Sequence, residues 1–386
     1  MRAPDEERLA RLDLSVLAEP NDSGVHDLVA RFGPCEALDR VMHEGPDSRF
    51  AARLGEERGD RLLERAERLG ARWLVPGDLE WPSQLGDLDL SAHDGHPRAV
   101  PPLGLWLRGP LDLRTSVLRS AAVVGSRAAS GYGIRVAVEL SAGLADRGWA
   151  SVSGAAYGID SAAHRGSLVA GGVTVAVLAC GVDMAYPRGH HGLLDRIGQE
   201  GLVVAELPPG SHPTRSRFLD RNRLIAALAP GTVVVEAAYR SGAANTTTWA
   251  RRLGRRVLGV PGPVDSPLSA GVHAQIRDHG AVLVCGASEV VAELGSLGEA
   301  LTEATAEASR AGLARADAAR PHDGLGVTEM RALDGLGVGS WADLTAVAQR
   351  SGLSRTEARV ALVRLVERGL ATRHEQRWRA VAAGLR

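Results

Sequence analysis

Four stretches of this chain carry residue types that bind anions, and none carries a full catalytic set. The first is Gly125-Ser126-Arg127-Ala128-Ala129-Ser130-Gly131-Tyr132-Gly133. Small residues expose backbone N–H groups, a following helix N-terminus adds positive potential, and Arg127 supplies a fork of donors suited to phosphate. The pattern is not Gly-x-Gly-x-x-Gly and no ribose-binding acid follows at the usual distance, so a dinucleotide site is not indicated. Its plainer reading is a tight turn between strand and helix. The second is Ser153-Gly154-Ala155-Ala156-Tyr157-Gly158-Ile159-Asp160. Gly154 and Gly158 let a ligand approach the backbone, and Asp160 is expected to cap the next helix. The third is the nine-residue run from Arg215 to Arg223, with four Arg against the single Asp220. Phe218 offers a stacking face, and Arg217, Arg221 and Arg223 offer phosphate charge. An aromatic among arginines is the composition of a single-strand site, although a charge run is usually a solvated face. The fourth joins Glu236 to Ser241-Gly242-Ala243-Ala244-Asn245-Thr246-Thr247-Thr248. Thr247 or Thr248 could take a phosphate. Glu236 has no second acid beside it and reads as structural, as does the turn Pro261-Gly262-Pro263.

The positive charge is unusual in kind. The 386 residues include 45 Lys plus Arg, and every one is Arg. A P-loop and Schiff-base chemistry both need lysine and are excluded. Phosphate contacts fall to Arg, backbone N–H groups and Ser or Thr. Codon bias explains the absence itself. The 46 acidic residues leave a net charge of −1, so no overall basic footprint exists, and 45% apolar content excludes global disorder. Three widely spaced cysteines, Cys35, Cys180 and Cys285, give neither a zinc pattern nor a disulfide framework. Cys180 and Cys285 end strands and are expected to be buried. His190-His191 reads as a surface pair, and no metal or cofactor is implied. The charged N-terminus lacks a signal-type apolar stretch, and the run Val173 to Cys180 is too short to span a bilayer. A cytoplasmic location is expected.

The elements that must position these loops follow from periodicity. Residues 1–70 read as a helical module broken at Gly45-Pro46, and 71–110 as an irregular, Trp- and Pro-rich lead-in to a sheet. From 121 onward, short β-branched runs at 121–124, 149–153, 173–179, 202–207, 232–237, 256–260 and 281–284 alternate with helical patterns. That predicts an α/β fold with a doubly wound parallel sheet buried on both faces. Residues 295–322 read as a linker. Residues 323–386 read as a winged helix, with helix, Ser351-Gly352 turn and a second helix opened by a Ser354/Glu357 capping box. Leu362, Leu365 and Val366 form that helix's apolar stripe.

Taken together, GSRAASGYG, SGAAYGIDSAAH, LACGVDMAYPR, AELPPG, FLDRNRLIAAL, VVVEAAYRSG and VPGPVDSPLSAG, in this order between about 121 and 285, resemble the DprA/Smf family of DNA-processing proteins. The lead-in WPSQL to PPLGLWLRG fits as well. The resemblance implies an extended Rossmann-like domain at 71–294, flanked by a SAM-like or helix-hairpin-helix-like module and a winged helix. It implies a non-enzymatic mediator that binds single-stranded DNA, dimerises, and helps load the recombinase RecA. Carried over by position, Gly125, Ser126 and Arg127 would hold backbone phosphate, with Ser130 and Gly131 in the same loop. Gly154, Gly158 and Asp160 would shape the neighbouring loop, and Phe218, Arg221, Asn222 and Arg223 would line the strand's path. This chain departs from the family pattern at AANTTT (243–248) and at His273, where Asn is usual. Two other readings stand beside this one. A nucleotide phosphoribohydrolase-type enzyme lacks its Glu in RSGAANTTTWA. A transcription regulator would use the winged helix, whose stretch from Asp343 to Arg379 holds eight Arg and four acids. That module could equally contact duplex DNA or protein.

Overall fold

The structure is a computed structural model that describes residues 5–44, 48–56, 58–91, 99–239, 241–295, 325–336 and 340–381. The expected break at Gly45-Pro46 and the linker, apart from Gly295, lie outside these residues. The chain divides into two compact units, Met1–Ala304 and Thr305–Arg386.

The first unit opens with helices α1 (Asp5–Leu17), α2 (Ser23–Phe32), α3 (Pro34–His43) and α4 (Gly59–Arg68). The elements β1 (Ala71–Leu74), β2 (Leu105–Arg108), α5 (Leu113–Leu118), β3 (Ser120–Val124), α6 (Gly131–Ala145), β4 (Ala150–Ser153), α7 (Ile159–Val169) and β5 (Thr174–Leu178) follow. The unit continues through α8 (His191–Glu200), β6 (Leu202–Ala205), α9 (Arg215–Leu228), β7 (Gly231–Val234), α10 (Gly242–Arg252), β8 (Arg256–Gly259), α11 (Ala270–His279), β9 (Val282–Leu283) and α12 (Ala287–Leu294).

The nine strands form one sheet in the order β1-β2-β6-β5-β4-β3-β7-β8-β9. Strands β3 to β9 pair in parallel, and all residues of β3 and β5 are buried. Alternate residues serve opposite faces, as the period of two requires. Ala122 and Val124 join a core with Leu224 to Leu228 of α9 and Trp249 of α10, whereas Ala121 and Val123 join one with Ala137, Leu140 and Leu144 of α6. Helices therefore cover both faces. The Trp-rich lead-in is more ordered than expected. Strand β2 pairs antiparallel with β1 on one side and with β6 on the other, leaving β1 at the sheet edge. Their Trp73 and Trp106 rings lie 4.8 Å apart. The helical module is packed against this end, with Leu12, Val16 and Leu62 in one cluster with Trp73, Trp106 and Ile197.

The second unit contains α13 (Val327–Asp334), β10 (Ala342–Asp343), α14 (Leu344–Ser351), α15 (Arg355–Glu367), β11 (Ala371–His374) and β12 (Arg377–Ala380). The strands form a sheet in the order β10-β12-β11. The Ser354 hydroxyl accepts the Glu357 amide while Glu357 accepts the Ser354 amide, closing the expected capping box. Leu362 and Leu365 are buried, but Val366 is exposed and leaves the stripe.

Candidate nucleic-acid interface

The sheet reverses its winding between β3 and β7. From β3 the chain moves outward through β4, β5 and β6, and from β7 it moves the other way through β8 and β9. A crevice opens at such a point, beyond the carboxyl ends of the strands. Here it has a volume of about 700 Å³. Its walls come from all four stretches named above: Gly125 to Ala128, Ala156 and Asp160, then Arg215, Phe218, Leu219, Arg221 and Asn222 on α9, and Ser241, Gly242, Ala243 and Thr246 at the start of α10.

Arg127 is exposed, and its guanidinium carbon lies 4.9 Å from the Phe218 ring centroid. Helix α9 is capped by the Thr214 hydroxyl, which accepts the Arg217 amide. Arg215 and Arg217 then occupy its first turn, where positive charge opposes the helix dipole. Arg217 is compensated by Glu19, whose carboxylate accepts its Nη2 and Nε at 2.9 and 3.0 Å, while Nη1 donates to the His212 carbonyl at 2.6 Å. Arg215 stays exposed on the crevice wall.

The other arginines of this run are buried. Arg221 donates to the carbonyls of Gly154 and Val177 at 2.7 and 2.5 Å and lies 5.9 Å from the Phe218 ring. Burial pulls its pKa down to about 10, with Asp160 opposing, so it remains a cation at neutral pH. Burial raises the Asp160 carboxyl, and the facing Arg221 pulls it back. Asp160 sits in the first turn of α7 behind the cap residue Gly158 and accepts the Ala156 amide, so it supports the loop rather than serving as the N-cap. Arg223 is fully buried and forms a two-point ion pair with Glu206, both contacts at 2.7 Å. It does not line the crevice. Asn222 lines the crevice and donates to Asn245.

Glycine is required at two positions. Gly158 has φ +77°, and a Cβ there would meet the Ser126 carbonyl oxygen at 2.2 Å. A Cβ at Gly154 would meet the Arg221 guanidinium at 1.9 Å. Both residues lie behind the crevice and set the shape of its floor. Ser130 is the N-cap of α6, and its hydroxyl and amide both donate to the Glu236 carboxylate at 2.6 and 2.9 Å. The Glu236 carbonyl accepts the Ser126 amide at 2.6 Å. Buried Glu236 thus ties the loop after β3 to the loop after β7. Gly131 starts α6, away from the crevice wall. Thr247 and Thr248 both donate to the Ala244 carbonyl inside their own helix.

Two further expectations change, and one residue is added. His190 is buried, with its ring nitrogen 2.9 Å from the Ala155 carbonyl, while only His191 is exposed. Cys285 is exposed, because β9 is a short edge strand whose end faces outward; Cys180 is buried as expected. Tyr186, unremarked in the sequence beyond its motif, joins the crevice with its ring centroid 5.4 Å from that of Phe218. Among the described residues, no cluster of side chains is placed to hold a metal ion, and no helix is long and apolar enough to cross a membrane.

Comparison with known proteins places this geometry. The family described as DNA recombination-mediator protein A matches residues 72–295. The chain is 45% identical to the DprA-type DNA processing protein of Mycobacterium tuberculosis over 380 residues, 96% of this chain and 94% of that one. It is 40% identical to protein Smf of Escherichia coli over 223 residues, 57% of this chain and 56% of that one. The solved structure of DprA from Streptococcus pneumoniae superimposes with a TM-score of 0.61 at 31% identity, covering 77% of this chain and all of that one. DprA from Helicobacter pylori, solved to describe its single-stranded DNA binding mode, shares the fold with a TM-score of 0.50 at 24% identity, covering 58% of this chain and 95% of that one. The chain therefore belongs to the DprA/Smf family of DNA processing proteins.

Proposed function

We propose that the crevice between the β3 and β7 loops holds single-stranded DNA, and that the protein is a non-enzymatic recombination mediator that helps load RecA onto it. The observation that carries this reading is the exposed Arg127 guanidinium stacked on Phe218 at the switch point, with Arg215 beside it. That is charge for a phosphate set against an aromatic cluster, the combination a single-strand site uses. The single-strand binding of the H. pylori relative supports it. Glu236 is buried and its carboxylate is occupied by the Ser130 hydroxyl and amide, and Asp160, the acid on the crevice wall, faces Arg221, which favours binding over turnover. Within this reading Gly125, Ser126 and Arg127 face the strand, Arg221 and Asn222 shape the wall, and the chain works as a cytoplasmic homodimer, as the family resemblance implies. The second unit, with its Arg-rich α15 and hairpin, serves as an accessory contact for duplex DNA or protein.

The test is a titration of single- and double-stranded oligonucleotides over a range of salt, followed by RecA filament formation on a coated strand. Tighter binding to the single strand, a steep salt dependence and faster RecA nucleation are expected. Equal affinity for both forms with no effect on RecA would overturn the proposal.

A further inference from the structure

We propose that Tyr186 is the residue on which a DNA base stacks in this crevice, with Phe218 as its backing; this rests on the reading of the crevice as a single-strand site. The sequence points to Phe218, the only aromatic among the arginines. The structure puts Phe218 in the middle of a stack. It is partly buried, Arg127 lies 4.9 Å from its centroid, Arg221 lies 5.9 Å away, and Tyr186 leans on it at 5.4 Å with the ring planes tilted by 49°. A base cannot enter between the two rings, because a sandwich needs two contact gaps of about 3.5 Å, or roughly 7 Å in all. The ring left open is the outer one. Tyr186 is 42% exposed and lines the crevice wall.

Tyr186 is also held in place. The loop after β5 is closed by the Met184 amide on the Gly181 carbonyl and by the Cys180 thiol on the Met184 carbonyl. On the far side of Tyr186, the His190 amide donates to the Pro187 carbonyl. A ring fixed at the rim, beside Arg127 and Arg215, offers each incoming nucleotide a flat face and a nearby cation. Every base has a π-face, so such a platform reads no sequence.

The experiment compares a thymidine oligonucleotide with an abasic strand of equal length in anisotropy titrations of the full chain. The wild type is expected to prefer the thymidine strand roughly 5- to 150-fold, the range that one stacked base supplies. Tyr186→Leu should pull that ratio toward one and leave abasic binding within about twofold, since only stacking is removed. Tyr186→Phe should keep the ratio. A Tyr186→Leu variant that retains the preference, or that weakens both strands alike, overturns the assignment. Arg127→Ala separates the two levels. If it changes neither strand's affinity nor its salt dependence, the crevice itself is misread; if it weakens both strands while Tyr186→Leu keeps the preference, only the stacking role fails.

Discussion

Arg223 offers the sharpest test of how charge is used along α9. Composition assigns it to phosphate, whereas the structure buries it completely and gives both Nη groups to Glu206 at 2.7 Å, with Nε on the Val100 carbonyl at 3.2 Å. Arg223→Met keeps the volume and removes the cation. It leaves the Glu206 carboxylate, with a side chain only 13% exposed, without its partner. Removing one member of a buried pair costs about 3–5 kcal/mol. At about 2–4 °C per kcal/mol for a domain of this size, the melting temperature should fall by roughly 6–20 °C. The slope of log affinity against log salt for single-stranded DNA should stay unchanged. Arg127→Ala should do the reverse, leaving melting nearly unmoved, weakening binding by about 1.5–3 kcal/mol and lowering the slope by roughly 0.7 for one lost phosphate. Arg223→Met combined with Glu206→Leu should recover most of the stability, because an apolar replacement of the whole pair leaves no orphaned charge. An Arg223→Met variant that melts like the wild type yet shows a shallower salt slope would refute the buried-pair argument and return Arg223 to the DNA path.

Three further outcomes are expected. His164 is fully buried, its ring nitrogen lies 2.7 Å from the Thr174 hydroxyl, and burial depresses its pKa from 6.5 to about 3. Below pH 6.5 the unfolded chain takes the proton first, so stability falls with pH toward about 3, at up to about 1.4 kcal/mol per unit. The wild type minus His164→Gln difference in urea unfolding should show that slope. Asp220, raised to about 6 mainly by burial, acts in the opposite direction between 3.8 and 6 and cancels in the difference. A flat difference would reject the linkage. Gly158→Ala should destabilise the first unit by more than 1 kcal/mol, as alanine does where φ is positive, and should weaken single-strand binding by displacing the 125–127 loop; wild-type affinity at full occupancy would contradict this. Burial pushes the Cys180 thiol up to about 12, while Cys35 and Cys285 are exposed. Maleimide at neutral pH should label the latter two in the native protein and Cys180 only after unfolding, as read by peptide mass.

The parallel strands were legible because burial on both faces leaves only β-branched and small residues to read, as in the Ser120–Val124 and Thr174–Leu178 runs. The β1–β2 ribbon was less so, since four-residue strands with one Trp each carry little periodic signal. The site was legible as loops and only partly as side chains. Residues 217, 221 and 223 look equivalent in composition. On a helix turning 100° per residue they face an ion pair with Glu19, the carbonyls of Gly154 and Val177, and Glu206 respectively. Nothing local announces those partners, which come from segments up to 198 residues away. Tyr186 was invisible for the same reason, because its value comes from Phe218, brought to it by the fold. Half of His190-His191 and the exposure of Cys285 likewise depend on which side of an element faces the core.

The Glu236 tie has a consequence for timing. Its carboxylate and carbonyl together hold Ser126 and Ser130, so the loops on either side of the switch point are braced before any strand arrives. A cradle that needs no closure adds no ordering step to capture. Encounter then limits the on-rate, which charge steering accelerates and salt slows. In the proposed reading, a strand held by a few arginine contacts and one open ring leaves nucleotide by nucleotide, as a mediator that passes its strand to RecA requires.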